Sequence, residues 1–139
     1  MVISYPHSSI RLVNGEPEFL HADNLNSVRA ITDKDGNLDK STSYKPFGEA
    51  DETLHDLAAK TESKGFIGER YDMDSGLQFL NARNYDPALG MFIRPDWFEV
   101  TRPGVGTNRY AYSNNDPINL SDPNGNLFGS GQFFGAGGL

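Results

Sequence analysis

Three Asp-Pro dipeptides, Asp86-Pro87, Asp116-Pro117 and Asp122-Pro123, put carboxylates where the chain can either turn or do acid–base chemistry. An aspartate before proline caps backbone N–H groups while the pyrrolidine ring presets φ, so turn formation is one reading of each. The other is hydrolysis by a carboxylate pair, which needs two acids from separate segments brought close enough to share a proton. Other chemistries find less support. His7, His21 and His55 have no metal-ligand spacing, no carboxylate cluster reads as a calcium loop, and no glycine loop is built to cradle phosphate. The absence of cysteine removes disulfide staples, thiol catalysis and thiolate metal sites. No cofactor is expected. A formal charge of −7 and a pI near 4.8, with Lys and Arg scattered among acids, argue against a nucleic-acid surface.

The elements that must position these acids read as strands and turns, an all-β fold of repeated antiparallel hairpins. Ser27 to Thr32 carries β-branched residues and runs into Asp33-Lys34-Asp35-Gly36-Asn37, a strong hairpin signal, before the chain resumes as LDKSTSY and stops at Lys45-Pro46-Phe47-Gly48. Residues 51–63 alone have helical character, with Leu54, Leu57 and Ala58 at i, i+3, i+4, and predict a short helical loop. From Lys64 a unit repeats: a strand ending in Tyr-Asp, a short turn ending in Gly, then a strand with an apolar start. Arg70-Tyr71-Asp72 leads to Gly76-Leu77, and Arg83-Asn84-Tyr85-Asp86 leads to Gly90-Met91. Period-two geometry places Leu77, Phe79, Asn81, Arg83 and Tyr85 on one strand face. Tyr71, Tyr85, Tyr110 and Tyr112 read as packing residues with one polar end.

The 139 residues suit one domain, but 37% hydrophobic residues with 15 Gly and 8 Pro leave a modest core, as expected of part of something larger. Residues 1–20 read as a lead-in strand, 21–127 as the main unit, and the Gly/Phe-rich 128–139 as a tail or linker. The N-terminus lacks the basic and apolar regions of a classical signal peptide, and no apolar run approaches a membrane span.

HADNLNSVRAITDKDGNL, YKPFGE, GFIGERYDMDSGLQFLNARNYDPALGMFIRPD and GTNRYAYSNNDPINLSDPNG follow one another in this order, and from about His21 to Gly125 the chain resembles the Rhs repeat-associated core of the Rhs/YD-repeat family. The resemblance implies a segment of a hollow β-cocoon that encloses a C-terminal toxin and closes at this end. It implies partners in the rest of the shell, the toxin and its immunity protein. It further implies synthesis in a bacterial cytoplasm and export by a secretion or toxin-complex machine. It also implies an intramolecular aspartyl autoprotease that turns over once. Carried across residue by residue, its acids fall on Asp96, after Phe92-Ile93-Arg94-Pro95, and on Asp122 in Asp122-Pro123-Asn124-Gly125.

Two departures bear on that carry-over. Asp96 is followed by Trp97-Phe98-Glu99 where many members continue Pro-Ile-Gly-Leu, and the second motif reads DPNGNL instead of DPxGL. The cut is therefore expected after Leu127, with Asn126 and Gly125 as the alternatives. Arg94 and Arg109 flank the acids, as guanidinium partners for a carboxylate or as ordinary ion-pairing and stacking residues. Asp116 is a turn residue, or a substitute partner for Asp122, and Trp97 lines the cleft or belongs to the core. Against the protease stands a non-catalytic structural or interaction module in which the aspartates only form turns, or an orphan core fragment without toxin.

Overall fold

The computed structural model describes residues 1–59, 61–96, 108–126 and 129–130. Strands β1 (Ile3–His7), β2 (Ile10–Val13), β3 (Glu16–Ala22), β4 (Val28–Thr32), β5 (Leu38–Tyr44) and β6 (Ala50–Leu54) form one antiparallel sheet in sequence order. A second sheet has the order β10-β9-β8-β7, from β7 (Arg70–Asp72), β8 (Leu77–Leu80), β9 (Arg83–Asp86) and β10 (Met91–Phe92). A short ladder joins β11 (Leu120–Ser121) to β12 (Gly129–Ser130). The all-β, hairpin-built architecture is thus as the sequence predicts.

The hairpins close where the turn chemistry says they should. Asp33 accepts from the backbone N–H of Asp35 and Asn37 through its side chain, both at 2.8 Å, and closes β4 onto β5. The two Tyr-Asp units are built alike. Gly76 N–H donates to the Asp72 carbonyl at 2.9 Å, Gly90 N–H donates to the Asp86 carbonyl at 2.8 Å, and each aspartate side chain caps the turn that follows it. The expected lead-in is three strands, with Asn14-Gly15 turning β2 into β3, and the step from residue 20 to 21 falls inside β3.

Two expectations are corrected. The helical loop over 51–63 begins instead as strand β6, paired with β5 from Tyr44↔Ala50 to Lys40↔Leu54, and then turns on Asp56. One apolar triplet is too short to bury a helix face, whereas the open edge of β5 offers a full ladder of backbone partners. Likewise 77–85 is not one strand. A two-residue loop at Asn81-Ala82 pairs Leu80 with Arg83, so Gln78, Leu80, Arg83 and Tyr85 face inward while Phe79 lies on the exposed face. Asn81 takes the left-handed conformation (φ 56°), which asparagine tolerates better than most residues.

An aromatic core joins the sheets. Phe66, Ile67, Leu80, Tyr85, Phe92 and Tyr112 are buried together, with Tyr44, Phe47 and Leu25 against them. The Tyr85 and Tyr112 rings lie 4.5 Å apart and Phe92 stands edge-on to Tyr85 at 5.6 Å, contacts worth roughly 0.5–1.5 kcal/mol each beyond burial. Polar ends of this core stitch the layers: the Tyr85 hydroxyl donates to the Phe47 carbonyl, the Tyr44 hydroxyl to the Val28 carbonyl, and Ile67 N–H to Ser27 Oγ. Tyr71 and Tyr110, expected in the packing, lie at the surface and outside the buried cluster. The first sheet has its own cluster of Leu20, Val28 and Ile31. Beside it buried Arg11 pairs with Glu18 at 2.6 Å and Glu62 at 3.2 Å, tying the connection to β7 down onto β2.

Gly48 has φ +93°, and a Cβ there would lie 2.5 Å from the Phe66 ring. Gly48→Ala is expected to lose about 2 kcal/mol or more in urea unfolding, from left-handed strain together with overpacking. Burial pushes the Tyr5 and Tyr112 phenols up from 10.0 to about 12. Their folded values exceed the unfolded ones, so this stability is fully present below pH 10 and is lost as pH climbs toward 12. A urea midpoint that falls across that interval, and not before it, is the expected result.

Candidate functional site

The segment after β10 leaves the second sheet, and residues 108–126 return against it. Phe92 N–H donates to the Tyr110 carbonyl at 3.0 Å, and Asp96 N–H donates to the Arg109 carbonyl at 2.8 Å. The returning chain then reaches the tip of the β8–β9 hairpin. There Asn81 Nδ2 donates to the Pro123 carbonyl at 2.9 Å, and Ala82 N–H to the Asn124 carbonyl at 3.2 Å. The Asp-Pro-Asn-Gly turn closes through Gly125 N–H and the Asp122 carbonyl at 3.3 Å. Gly125 sits so tightly that a Cβ would lie 2.4 Å from the Leu80 carbonyl oxygen, which leaves glycine as the residue that fits.

This docking brings Asp96 and Asp122 to one cation, Arg83. One guanidinium nitrogen of Arg83 lies 3.1 Å from Asp96 Oδ2 and 3.5 Å from Asp122 Oδ2. The three residues are 5%, 8% and 3% exposed respectively, so the group is shielded from bulk water. Arg83 Nε donates to the Gly125 carbonyl and Nη1 to the Arg109 carbonyl. Its guanidinium also lies 3.5 Å from the centroid of the Phe92 ring, a cation–π contact. Burial pulls Arg83 below the ordinary arginine value while the two carboxylates pull it back, and it remains a cation at neutral pH.

The guanidinium expected from Arg94 or Arg109 thus comes from Arg83. Arg94 is exposed, and Arg109 donates from its guanidinium to the main-chain carbonyl of Asp96. Asp116 stands apart in a turn, its carboxylate holding Asn119 Nδ2 at 3.0 and 3.1 Å. Leu127 and Trp97 lie outside the described residues. Arg83 had a readable signal, since a lone cation on an inward strand position among Leu, Gln and Tyr needs a buried anion.

Backbone strain concentrates beside Asp122. Ser113, Asn114 and Asn115 all have positive φ (47°, 56° and 60°), a left-handed turn of three non-glycine residues. A left-handed residue other than glycine costs up to roughly 1–2 kcal/mol, less for asparagine, and persists where the surroundings over-determine it. Tyr112 and Ser113 are buried here, and the Tyr112 hydroxyl sits beside Ser113 and the Asp122 backbone. No group of His, Cys, Asp and Glu able to hold a metal ion occurs among the described residues.

Residues 10–118 match the family model described as Teneurin YD-shell. The chain belongs to that family. Among its relatives the tRNA3(Ser)-specific nuclease WapA of Bacillus spizizenii is 32% identical over 117 residues, covering 81% of this chain and 5% of that protein. Double-stranded DNA deaminase toxin A of Burkholderia cenocepacia is 31% identical over 105 residues, 74% of this chain and 7% of that protein. Mouse Teneurin-1 is 28% identical over 114 residues, 79% of this chain and 4% of that protein. The fold is similar to the crystal structure of TcdB2-TccC3-Cdc42, with a TM-score of 0.76 and 19% identity over 90% of this chain and 6% of that one. The YD-shell chain therefore spans a few per cent of the length of these relatives.

Removing the shared cation strips both buried carboxylates of it. Arg83→Met is expected to lose about 3 kcal/mol or more in urea unfolding. The loss should shrink when Asp96 and Asp122 are both Asn, because the amides do not require a cation. An equal loss in both backgrounds would place Arg83's role in packing on Phe92 alone.

Proposed function

We propose that this chain is the closing segment of a toxin-enclosing Rhs/YD shell, and that Asp96 and Asp122 hydrolyse the chain just beyond the Asp122-Pro123-Asn124-Gly125 turn. The observation that carries this reading is the convergence of the two acids on one buried guanidinium, together with the tethering of the downstream segment to it through the Gly125 carbonyl. Two relatives bear the names of a nuclease and a deaminase toxin, which supports a toxin as the segment beyond the cut. In the proposed reaction one carboxylate accepts a proton from water, whose oxygen attacks the scissile carbonyl carbon. The other carboxyl, protonated, donates to the carbonyl oxygen. Collapse of the tetrahedral intermediate breaks the C–N bond as the amine leaves with a proton. Arg83 fixes the geometry of the pair, and tethering supplies the effective concentration that a single turnover requires. The preferred bond follows Leu127, with Asn126 and Gly125 as alternative positions. The shell, the toxin and its immunity protein are the partners of this reading, which places the protein in a bacterial cytoplasm before export by a secretion or toxin-complex machine.

A second reading is favoured by the same ion group: a guanidinium between two carboxylates is also a structural clasp, binding the Asp-Pro-Asn-Gly turn to the β8–β9 hairpin without chemistry. Intact mass spectrometry of fresh protein beside Asp96→Asn and Asp122→Asn separates the two. Loss of the segment after Leu127, or one or two residues earlier, in wild type alone supports the protease. Three full-length masses leave the clasp.

A further inference from the structure

The buried side-chain polar atoms that lack a well-formed hydrogen bond among the described residues all belong to the arch that carries Asp122: Arg109 Nε, Tyr112 Oη, Ser113 Oγ, Asn114 Oδ1 and Asn126 Oδ1. Such groups are few in native proteins, and each calls for a partner or a use. Two of them are neighbours. The Tyr112 hydroxyl lies beside Ser113 and the Asp122 backbone, yet makes no hydrogen bond of proper geometry. Tyr112 is held by its ring against Phe66, Tyr85 and Phe92, and Ser113 by the left-handed turn, so neither is placed by the polar end it presents. A left-handed serine at a position where glycine would relax the backbone is a local sacrifice that a packing role does not explain.

We propose that the hydroxyls of Tyr112 and Ser113 form a water-binding subsite at Asp122, and that the water held there is the nucleophile of the self-cleavage. This rests on the protease reading above. Each hydroxyl can donate one hydrogen bond and accept others, so the pair can orient a water lone pair and leave one O–H toward a carboxylate. The phenol stays protonated, and therefore a donor, throughout the neutral range, because burial raises its pKa. In the step itself the water oxygen bonds to the scissile carbonyl carbon, one water proton passes to a carboxylate and on to the departing amine, and the C–N bond breaks. Tyr112 and Ser113 lose nothing and serve as positioning residues.

The test uses substitutions whose structural and functional effects run in opposite directions. Ser113→Gly relieves the positive φ and removes the hydroxyl, and Tyr112→Phe keeps every ring contact and removes only the oxygen. Both are expected to keep the wild-type melting temperature or raise it, while the first-order rate of self-cleavage after refolding falls roughly tenfold, the kinetic equivalent of one hydrogen bond. Rates that stay at the wild-type value, or that fall only alongside the melting temperature, overturn the proposal. A crystal structure of the full chain carrying Asp96→Asn provides a readout that does not depend on cleavage. An ordered water bonded to both hydroxyls is expected, and two dry hydroxyls overturn the subsite. If wild type does not cleave at all while that water is present, the protease reading fails and the nucleophile's role with it, leaving only the water-binding site.

Discussion

One guanidinium organises the C-terminal half of this chain. Arg83 lies on Phe92, reaches Asp96 and Asp122, and takes the carbonyls of Gly125 and Arg109, so a single side chain contacts every segment that returns to the second sheet. A buried ion group of this kind is weak evidence for stability, because desolvation consumes much of the Coulombic gain. It is better evidence for specificity: this register of the return segment brings two carboxylates and the carbonyls of Gly125 and Arg109 to one guanidinium with five N–H donors. The aromatic core supplies the apolar burial, and Arg83 selects the arrangement in which it is used.

The arginine depends in turn on the two-residue loop at Asn81-Ala82. A hairpin that tight places Leu80 and Arg83 side by side on the inner face, one in the aromatic core and one at its polar margin. The same loop offers Asn81 Nδ2 and Ala82 N–H to the carbonyls of Pro123 and Asn124, so the turn that carries Asp122 is gripped by the hairpin that carries its counter-ion. Gly125 completes the grip, since any side chain there would strike the Leu80 carbonyl.

Much of the strand plan was legible because it is written in turn chemistry. Asp33 to Asn37, Lys45 to Gly48, and the Asp72 and Asp86 turns all lie where Gly, Pro and Asp mark them. Asn14-Gly15 carried the same kind of signal inside the lead-in. Periodicity misled twice. Leu54, Leu57 and Ala58 suggested a helix where an open sheet edge prevailed. A run without glycine or proline conceals the loop at Asn81, so the period-two reading groups Leu77 and Phe79 with Arg83 and Tyr85, which instead share their face with Gln78 and Leu80. Asp96 and Asp122, the two acids beside Arg83, are the ones that the family resemblance singles out as candidates. Their cation is not singled out, because Arg94 and Arg109 are nearer in sequence whereas Arg83 is nearer in space, a distance that only the pairing of strands determines.

The two Tyr-Asp hairpins close on themselves: each aspartate caps its own turn, each glycine answers that aspartate's carbonyl, and neither turn borrows a partner from the next. Such a unit can be copied in tandem without redesigning its neighbour, since duplication adds strands and leaves every existing turn satisfied. The Arg83 junction admits no such copying, because its partners come from separate segments of the chain between Phe92 and Gly125.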